Sequence, residues 1–367
     1  MKITYITPSG VPSKQANTVQ VMKMCEAFSQ HGHDVRLLCP SNATETASDV
    51  FAYYDVKSLF EIQRLPWQPF KGYQFSVMAA LSAYRSGTDI VYGRSIAGCY
   101  FSSLLGLDVV YESHVPADEI HPITDRMFSS LLGSANLSAL VVITEALKDY
   151  YTSKYDIGEE VIVAPDASTR QDGTPIDEIR SRDGQQVGYV GHLYEGKGIE
   201  VIVELARKKP DTDFHVVGGT DEDLQKWQSK TDGLSNLRFH GHVPPARVGD
   251  YLASFDVVLA PYQRDIKGAS GNTNLSKWMS PLKIFEYMSA GKPIVCSDLP
   301  VLQEVLSDGV NALLCDPDDI SQWIEALHRL STDDELRKSL AERAQSDFEA
   351  RYSYDARAEQ IYNTISD

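Results

Sequence analysis

An α/β protein built as two parallel-sheet halves is what this sequence predicts, and three observations predict it. Short runs that are apolar throughout recur along the chain, each followed by a helical pattern, as strands buried on both faces of a sheet require. One polar stretch, 166–185 (DASTRQDGTPIDEIRSRDGQ), interrupts that rhythm, which then restarts. The 367 residues suffice for about two domains at the usual ~150 residues each.

In chain order, Ile3–Thr7 reads as the first strand, followed by a loop with Pro8, Ser9, Gly10, Pro12 and Ser13. Apolar Val19, Met22, Met24 and Phe28 then recur at helical spacing until Gly32. Further strands are expected at Val35–Cys39, Ile90–Tyr92, Val109–Glu112, Leu140–Ile143 and Val161–Ala164. After the polar break come Val187–Val190, Phe214–Val217, Leu237–Phe239, Val257–Ala260, Ile294–Cys296 and Ala312–Cys315, then a charged helical tail. Two Rossmann-like halves facing across a cleft follow from this pattern. Ligands of such sheets sit beyond the carboxyl ends of strands, against helix N-termini.

Apolar residues at 43% and charged residues at 23% describe an ordinary globular chain, not a disordered or disulfide-scaffold one. The formal net charge of −17 repels polyanions, so nucleic acid is not an expected partner. The acidic excess is heavier after residue 165 than before it. Cys25, Cys39, Cys99, Cys296 and Cys315 contain no CxxC pair and read as reduced core thiols. The start MKITYITPSG does not read as a signal peptide, and no run of 18 apolar residues occurs, so a cytoplasmic protein is expected. The aromatic stretch 59–75, with Arg64 and Lys71, reads as an acceptor wall, a peripheral contact with the inner face of a membrane, or a helix-loop packed on the core.

Two segments suit a diphosphate. In Gly191-His192-Leu193-Tyr194-Glu195-Gly196-Lys197-Gly198 the glycines admit close backbone approach and Lys197 adds a cation, although many strand–helix connections carry two glycines. In Ser280-Pro281-Leu282-Lys283-Ile284-Phe285-Glu286, Ser280 is a favoured N-cap and Pro281 a favoured first residue, which sets Lys283 at the third helical position. A lysine there opposes the helix dipole by ~0.3–1 kcal/mol unless an anion binds. Glu286, three residues on, suits a ribose diol or is a solvated charge.

These residues carry a resemblance. SPLKIFEYMSAGKPIVCSD, followed by LPVLQEVLSDGVNALLCDPDD, resembles the C-terminal half of the retaining family 4 glycosyltransferases, which have the GT-B fold. YVGHLYEGKG, FHGHVPPARVGDYLASFDVVLAPY, GHDVRLL, VYESH, LVVITEALKDYY and VIVAPDAS extend it over nearly the whole chain. The resemblance implies transfer of a hexose-type sugar from a UDP- or GDP-sugar to a hydroxyl on a sugar, polyol or lipid-linked acceptor, with retention, in glycan, polysaccharide or glycolipid synthesis. It implies that Lys197 and the backbone at Leu282–Lys283 hold the diphosphate; Ser280, Pro281 and Ile284 are further candidate donor contacts. It also places Glu286 on the ribose, His242 and Val243 at the base, Gly10 in a loop over the phosphate and His114 beside the reacting sugar. Arg94, Glu112 and Asp118 are the candidate acceptor contacts. The domains are drawn as 1–170 with a returning helix at 349–367, a linker at 171–185, and 186–348.

The chain departs from the family at three places. His192 stands where Arg is common, which weakens a phosphate contact or makes it pH-dependent. Trp278 stands where a first glutamate usually addresses the donor hexose; Asn272, Thr273 or Asn274 are its candidate replacements. The double glycine of the first loop is reduced to Gly10. Neither a DxD with neighbouring ligands nor a His/Cys cluster with metal spacing occurs; Asp316-Pro317-Asp318 reads as a turn. No metal or other cofactor is therefore expected, and Lys197, Lys283 and the helix dipole are expected to oppose the leaving-group charge. An epimerase, an inverting transferase and a non-catalytic nucleotide-sugar-binding subunit are the competing readings.

Overall fold

The computed structural model describes residues 1–366 except 14, 68–72, 156, 158–160, 181–182 and 267–275. Lys71, Asn272, Thr273 and Asn274 thus lie outside the described residues. The chain forms two compact units, one of residues 1–166 together with the segment from Tyr354 onward, the other of residues 167–353.

The first unit alternates strand and helix. Its elements are β1 (Lys2–Ile6), α1 (Ala16–Gln30), β2 (Asp34–Pro40), α2 (Val50–Tyr53), β3 (Glu61–Leu65), α3 (Tyr73–Arg85), β4 (Ile90–Gly93), α4 (Ile96–Leu104), β5 (Asp108–Ser113), α5 (Ala117–Ile120), α6 (Pro122–Leu132), β6 (Leu137–Val142), α7 (Glu145–Lys154) and β7 (Val161–Val163). The strands form one parallel sheet in the order β3-β2-β1-β4-β5-β6-β7. Because β1 pairs with both β2 and β4, the strand order reverses beside it, and the crevice beyond Ile6 and Gly93 is a topological switch point. β3 was not foreseen. Its sequence EIQRL is polar, and it is an edge strand with only Leu65 buried, so it lacks the apolar run that marks its neighbours.

The second unit repeats the plan with α8 (Asp177–Arg180), β8 (Gln185–Val190), α9 (Ile199–Lys208), β9 (Thr212–Val217), α10 (Asp221–Gln228), β10 (Leu237–Gly241), α11 (Pro245–Ser254), β11 (Val257–Ala260), α12 (Leu282–Ser289), β12 (Ile294–Ser297), α13 (Pro300–Gln303), β13 (Leu313–Cys315), α14 (Ile320–Thr332) and α15 (Asp334–Asp347). The parallel order is β10-β9-β8-β11-β12-β13, with the switch point between β8 and β11. Along β8, Val187 and Tyr189 enter one core layer and Val190 the other, which is why the strand reads as an unbroken apolar run.

The tail, expected as one returning helix, is divided. A π-helical turn at Phe348–Tyr352 buries Phe348 and Tyr352 in the second unit's core. The extended Ser353 ends it, and α16 (Tyr354–Ser366) belongs to the first unit. There α16 packs on α1, with the Tyr362 ring 4.5 Å from that of His33. The apolar spacing is continuous across 348–365 because both halves are buried, though in different cores. All five cysteines are buried and free. Among the described residues no helix is long and apolar enough to cross a membrane.

Candidate active site

In the second unit, β8 delivers Gly191 and His192 to the switch point, and β11 delivers Pro261 and Tyr262. α12 starts one residue later than expected: Pro281 is its N-cap and makes no side-chain cap, so Lys283 stands second in the helix. Leu282 and Pro281 are half-buried, whereas Ser280 and Ile284 are buried. Tyr287 fixes the helix against the strands. Its hydroxyl accepts from Val190 N at 2.8 Å and lies 3.3 Å from the carbonyls of Val190 and Leu259.

That anchoring drives the Lys283 ammonium under the loop. Its Nζ lies 3.7 Å from the Tyr189 ring centroid and 4.9 Å from that of Tyr262. Lys283 is only 8% exposed, and its Nζ has no hydrogen-bond partner. Lys197 Nζ approaches the same Tyr262 ring, at 5.0 Å. Ring faces stabilise an ammonium by ~0.5–2 kcal/mol, less than the several kcal/mol lost when a charge leaves water. Burial, then the neighbouring Lys197, holds Lys283 well below the ordinary lysine value. Burial alone lowers Lys197 to about 8. Two cations short of counter-charge thus sit at one helix start. Gly191 makes the space: its φ is 149°, and a Cβ there would fall 2.9 Å from Lys283 Nζ.

Glu286, half-buried on the same helix, has its carboxyl pKa raised by burial, partly offset by Lys283. His192 stacks on Tyr194 with centroids 4.8 Å apart and planes at 4°. Its pKa falls through desolvation, then Lys283 and Lys197, so it is neutral at pH 7. His242 is exposed and Val243 half-buried against the core, both just beyond β10. Tyr189, Tyr262 and Tyr287 were not foreseen, since as sequence they look like core aromatics. Asp316 and Asp318 form the expected turn, and Arg264 bridges them at 2.9 Å each.

The first unit gathers a polar knot beyond β5. Glu112 is buried, at 1% exposure. It accepts from Gln20 Nε2 at 3.0 Å, His114 Nε2 at 2.5 Å, Arg357 of α16 at 3.2 Å and the Tyr92 hydroxyl. Gln20 also donates to Asp166 Oδ1 at 2.5 Å and accepts from Arg94. His114 Nδ1 faces Asp166 at 3.9 Å. Burial would raise the Glu112 pKa, but Arg357, His114 and Arg94 outweigh it and hold the carboxyl well below its ordinary range. Burial, then Arg94, lowers His114, so the ring is neutral at pH 7 and its Nε2–H donates to the ionised Glu112.

Two of the expected acceptor contacts are engaged by side chains of the first unit itself. Glu112 has its carboxylate saturated from within and does not face solvent. Asp118 accepts from the Tyr150 hydroxyl at 2.8 Å and pairs with Lys154 at 2.6 Å, which ties it to α7. Arg94 is half-buried in the knot. Gly10 is buried under the segment at Asn42–Ala43, where a Cβ would meet backbone at 2.7 Å. Its loop is pinned by Arg64 Nε on the Val11 carbonyl at 3.0 Å and by Ser13 N on the Tyr54 hydroxyl at 2.7 Å.

Glu112, His114 and Asp166 also form a group whose ligand atoms lie within 4.8 Å of one another. Their spacing in sequence gave no hint of it. Arg94 and Arg357 already balance the two carboxylates, and Glu112 spends its lone pairs on four donors, so the group fits a histidine-orienting role better than a cation.

Residues 184–333 match the family described as glycosyl transferases group 1. The phosphatidyl-myo-inositol mannosyltransferase of Mycolicibacterium smegmatis is 32% identical over 52% of this chain and 48% of its own. A D-inositol 3-phosphate glycosyltransferase of Corynebacterium jeikeium is 30% identical over 48% and 42%. The chain spans about half the length of the curated relatives it matches. Among solved structures, Anabaena HepE in complex with UDP superposes with a TM-score of 0.77 at 18% identity, covering 100% of both chains. The sucrose-phosphate synthase of Thermosynechococcus elongatus gives 0.76 at 17%, covering 100% of this chain and 98% of its own. These likenesses show the fold: two Rossmann-like units with the last helix on the first, the GT-B architecture that the resemblance implied.

Proposed function

We propose, for a chain related through residues 184–333 to the glycosyl transferases group 1, that it transfers a hexose from a UDP- or GDP-sugar to an acceptor hydroxyl with retention, in glycan or glycolipid synthesis. The observation that carries this reading is the buried, unpartnered Lys283 ammonium at the start of α12, beside Lys197. A diphosphate supplies both cations with the counter-charge that the tyrosine rings supply only in part. The free N–H groups at Leu282 and Lys283 donate to its oxygens, and the dipole of α12 favours the charge that grows as the nucleotide departs. Glu286, its carboxyl still an acceptor at pH 7, holds the ribose diol. His242 and Val243 flank the base.

In the reaction the bond between the anomeric carbon and the diphosphate oxygen breaks. The acceptor oxygen attacks the same face, and its proton passes to a phosphate oxygen of the leaving group. Neutral His114 orients the reacting sugar and takes no proton. The two lysines and the helix start carry the leaving-group charge, so the proposed reaction uses no metal. The donor class is supported by HepE, solved with UDP-glucose, and by the mannosyltransferase name of the mycobacterial relative. Five buried free thiols suit a reducing, cytoplasmic setting.

Thermal unfolding against a panel of UDP-, GDP- and ADP-sugars tests the binding. One donor is expected to raise the melting temperature of the wild type and not of Lys283→Met. No response to any sugar nucleotide, or an equal response in Lys283→Met, refutes the site. With the donor known, NMR of the product anomer separates retention from inversion, and lack of turnover with every acceptor class leaves a binding subunit.

A further inference from the structure

We infer that Arg357, on the last helix, is the positioning residue that holds His114 in its working orientation through Glu112. This rests on the transferase reading above. Arg357 is 1% exposed, and each of its three guanidinium nitrogens donates a hydrogen bond. NH1 donates to Glu112 Oε2 at 3.2 Å, Nε to the Pro165 carbonyl at 2.8 Å and NH2 to the Ala164 carbonyl at 3.2 Å. The first bond fixes the carboxylate that accepts from His114 Nε2. The other two fix the backbone immediately before Asp166, the carboxylate facing His114 Nδ1. One guanidinium from α16 therefore sets both walls of the imidazole, from β5 and from the segment after β7. Gln20 links the same two carboxylates from α1, and Arg94 reaches Gln20 from the end of β4.

Only a planar fork meets this arrangement. A lysine presents one point charge and reaches one of the three acceptors, which leaves the Ala164–Pro165 carbonyls or Glu112 without a partner. Glu112 then gains a second rotamer, and the His114 ring follows it. Because Arg357 touches neither sugar nor nucleotide, its removal should act on turnover and not on donor affinity.

The test uses the full chain and the donor found by the thermal panel. If the wild type turns over no donor, the transferase reading has failed and Arg357 is not at issue. With an active wild type, Arg357→Lys is expected to keep the donor Kd within about twofold and to lower kcat at least tenfold. In a His114→Ala background the same substitution is expected to change kcat less than threefold, because the group it positions is gone. A wild-type kcat in Arg357→Lys overturns the inference, as does a loss of equal size with and without His114. Should Arg357→Lys not fold, Glu112→Gln, which keeps the shape and cuts the charged link, is measured in both backgrounds; additivity with His114→Ala there overturns it equally.

Discussion

Raising the pH from 7 to 9 should weaken donor binding by about tenfold through Lys197 alone, a figure worked from its lowered pKa of about 8. In the free protein Lys197 is ~90% protonated at pH 7, about half at pH 8 and ~10% at pH 9. A diphosphate binds the ammonium and restores its ordinary pKa, so affinity falls as pH rises through the free-state value. Tenfold corresponds to ~1.4 kcal/mol. Lys283, also held well below its ordinary value by burial, adds to the slope in the same direction. The linked quantity is proton uptake, about half a proton per donor at pH 8 from Lys197. Calorimetric titration in two buffers of different ionisation enthalpy reads that uptake directly. Comparing wild type with Lys197→Met cancels any titration of the nucleotide itself. A wild-type affinity at pH 9 within about twofold of that at pH 7 would show that neither ammonium group faces the diphosphate, and the same slope in Lys197→Met would show that Lys197 does not.

Three further outcomes follow. Lys283→Met should stabilise the ligand-free protein by ~1–3 kcal/mol in denaturant titrations while abolishing the donor-induced shift, because it removes an orphaned buried polar group. Gly191→Ala should weaken donor binding by at least ~1.4 kcal/mol, or tenfold, since its Cβ would displace Lys283 Nζ from 2.9 Å; calorimetry reads the Kd. Glu112, with a folded pKa well below 4.5, supports the fold above that value, and this support is lost as pH falls through the folded pKa; Glu112→Gln should show a shallower loss of melting temperature between about pH 5 and 2.

What the sequence disclosed is what local chemistry encodes. Strands buried on both faces announce themselves as apolar runs, and the Gly191–Gly198 loop and the Ser280–Glu286 helix start carry their turn and capping signals within a few residues. That was enough to bring Lys197, Lys283 and Glu286 to one candidate site. β3 was silent because an edge strand need not be apolar. Tyr189 and Tyr262 were hidden among core aromatics, since nothing local separates a ring that packs from a ring that carries an ammonium. The knot around His114 was beyond reach for another reason. Gln20, Glu112, Asp166 and Arg357 come from four distant segments, and only the strand order unites them. The same topology withdrew Glu112 inward and gave Asp118 to Lys154.

The return of α16 to the first sheet has a consequence for how the chain matures. A growing polypeptide completes every strand of that sheet by Val163, yet Glu112 lacks its guanidinium until Arg357 has been added, almost two hundred residues later. Until then a buried carboxylate has Gln20, His114 and Tyr92 around it but lacks its charge partner, a defect that costs about 3–5 kcal/mol when one member of such a buried pair is missing. The early lobe is therefore a provisional structure, and a fragment ending at Ser353 should be its trapped form: strands paired, knot open, histidine adrift.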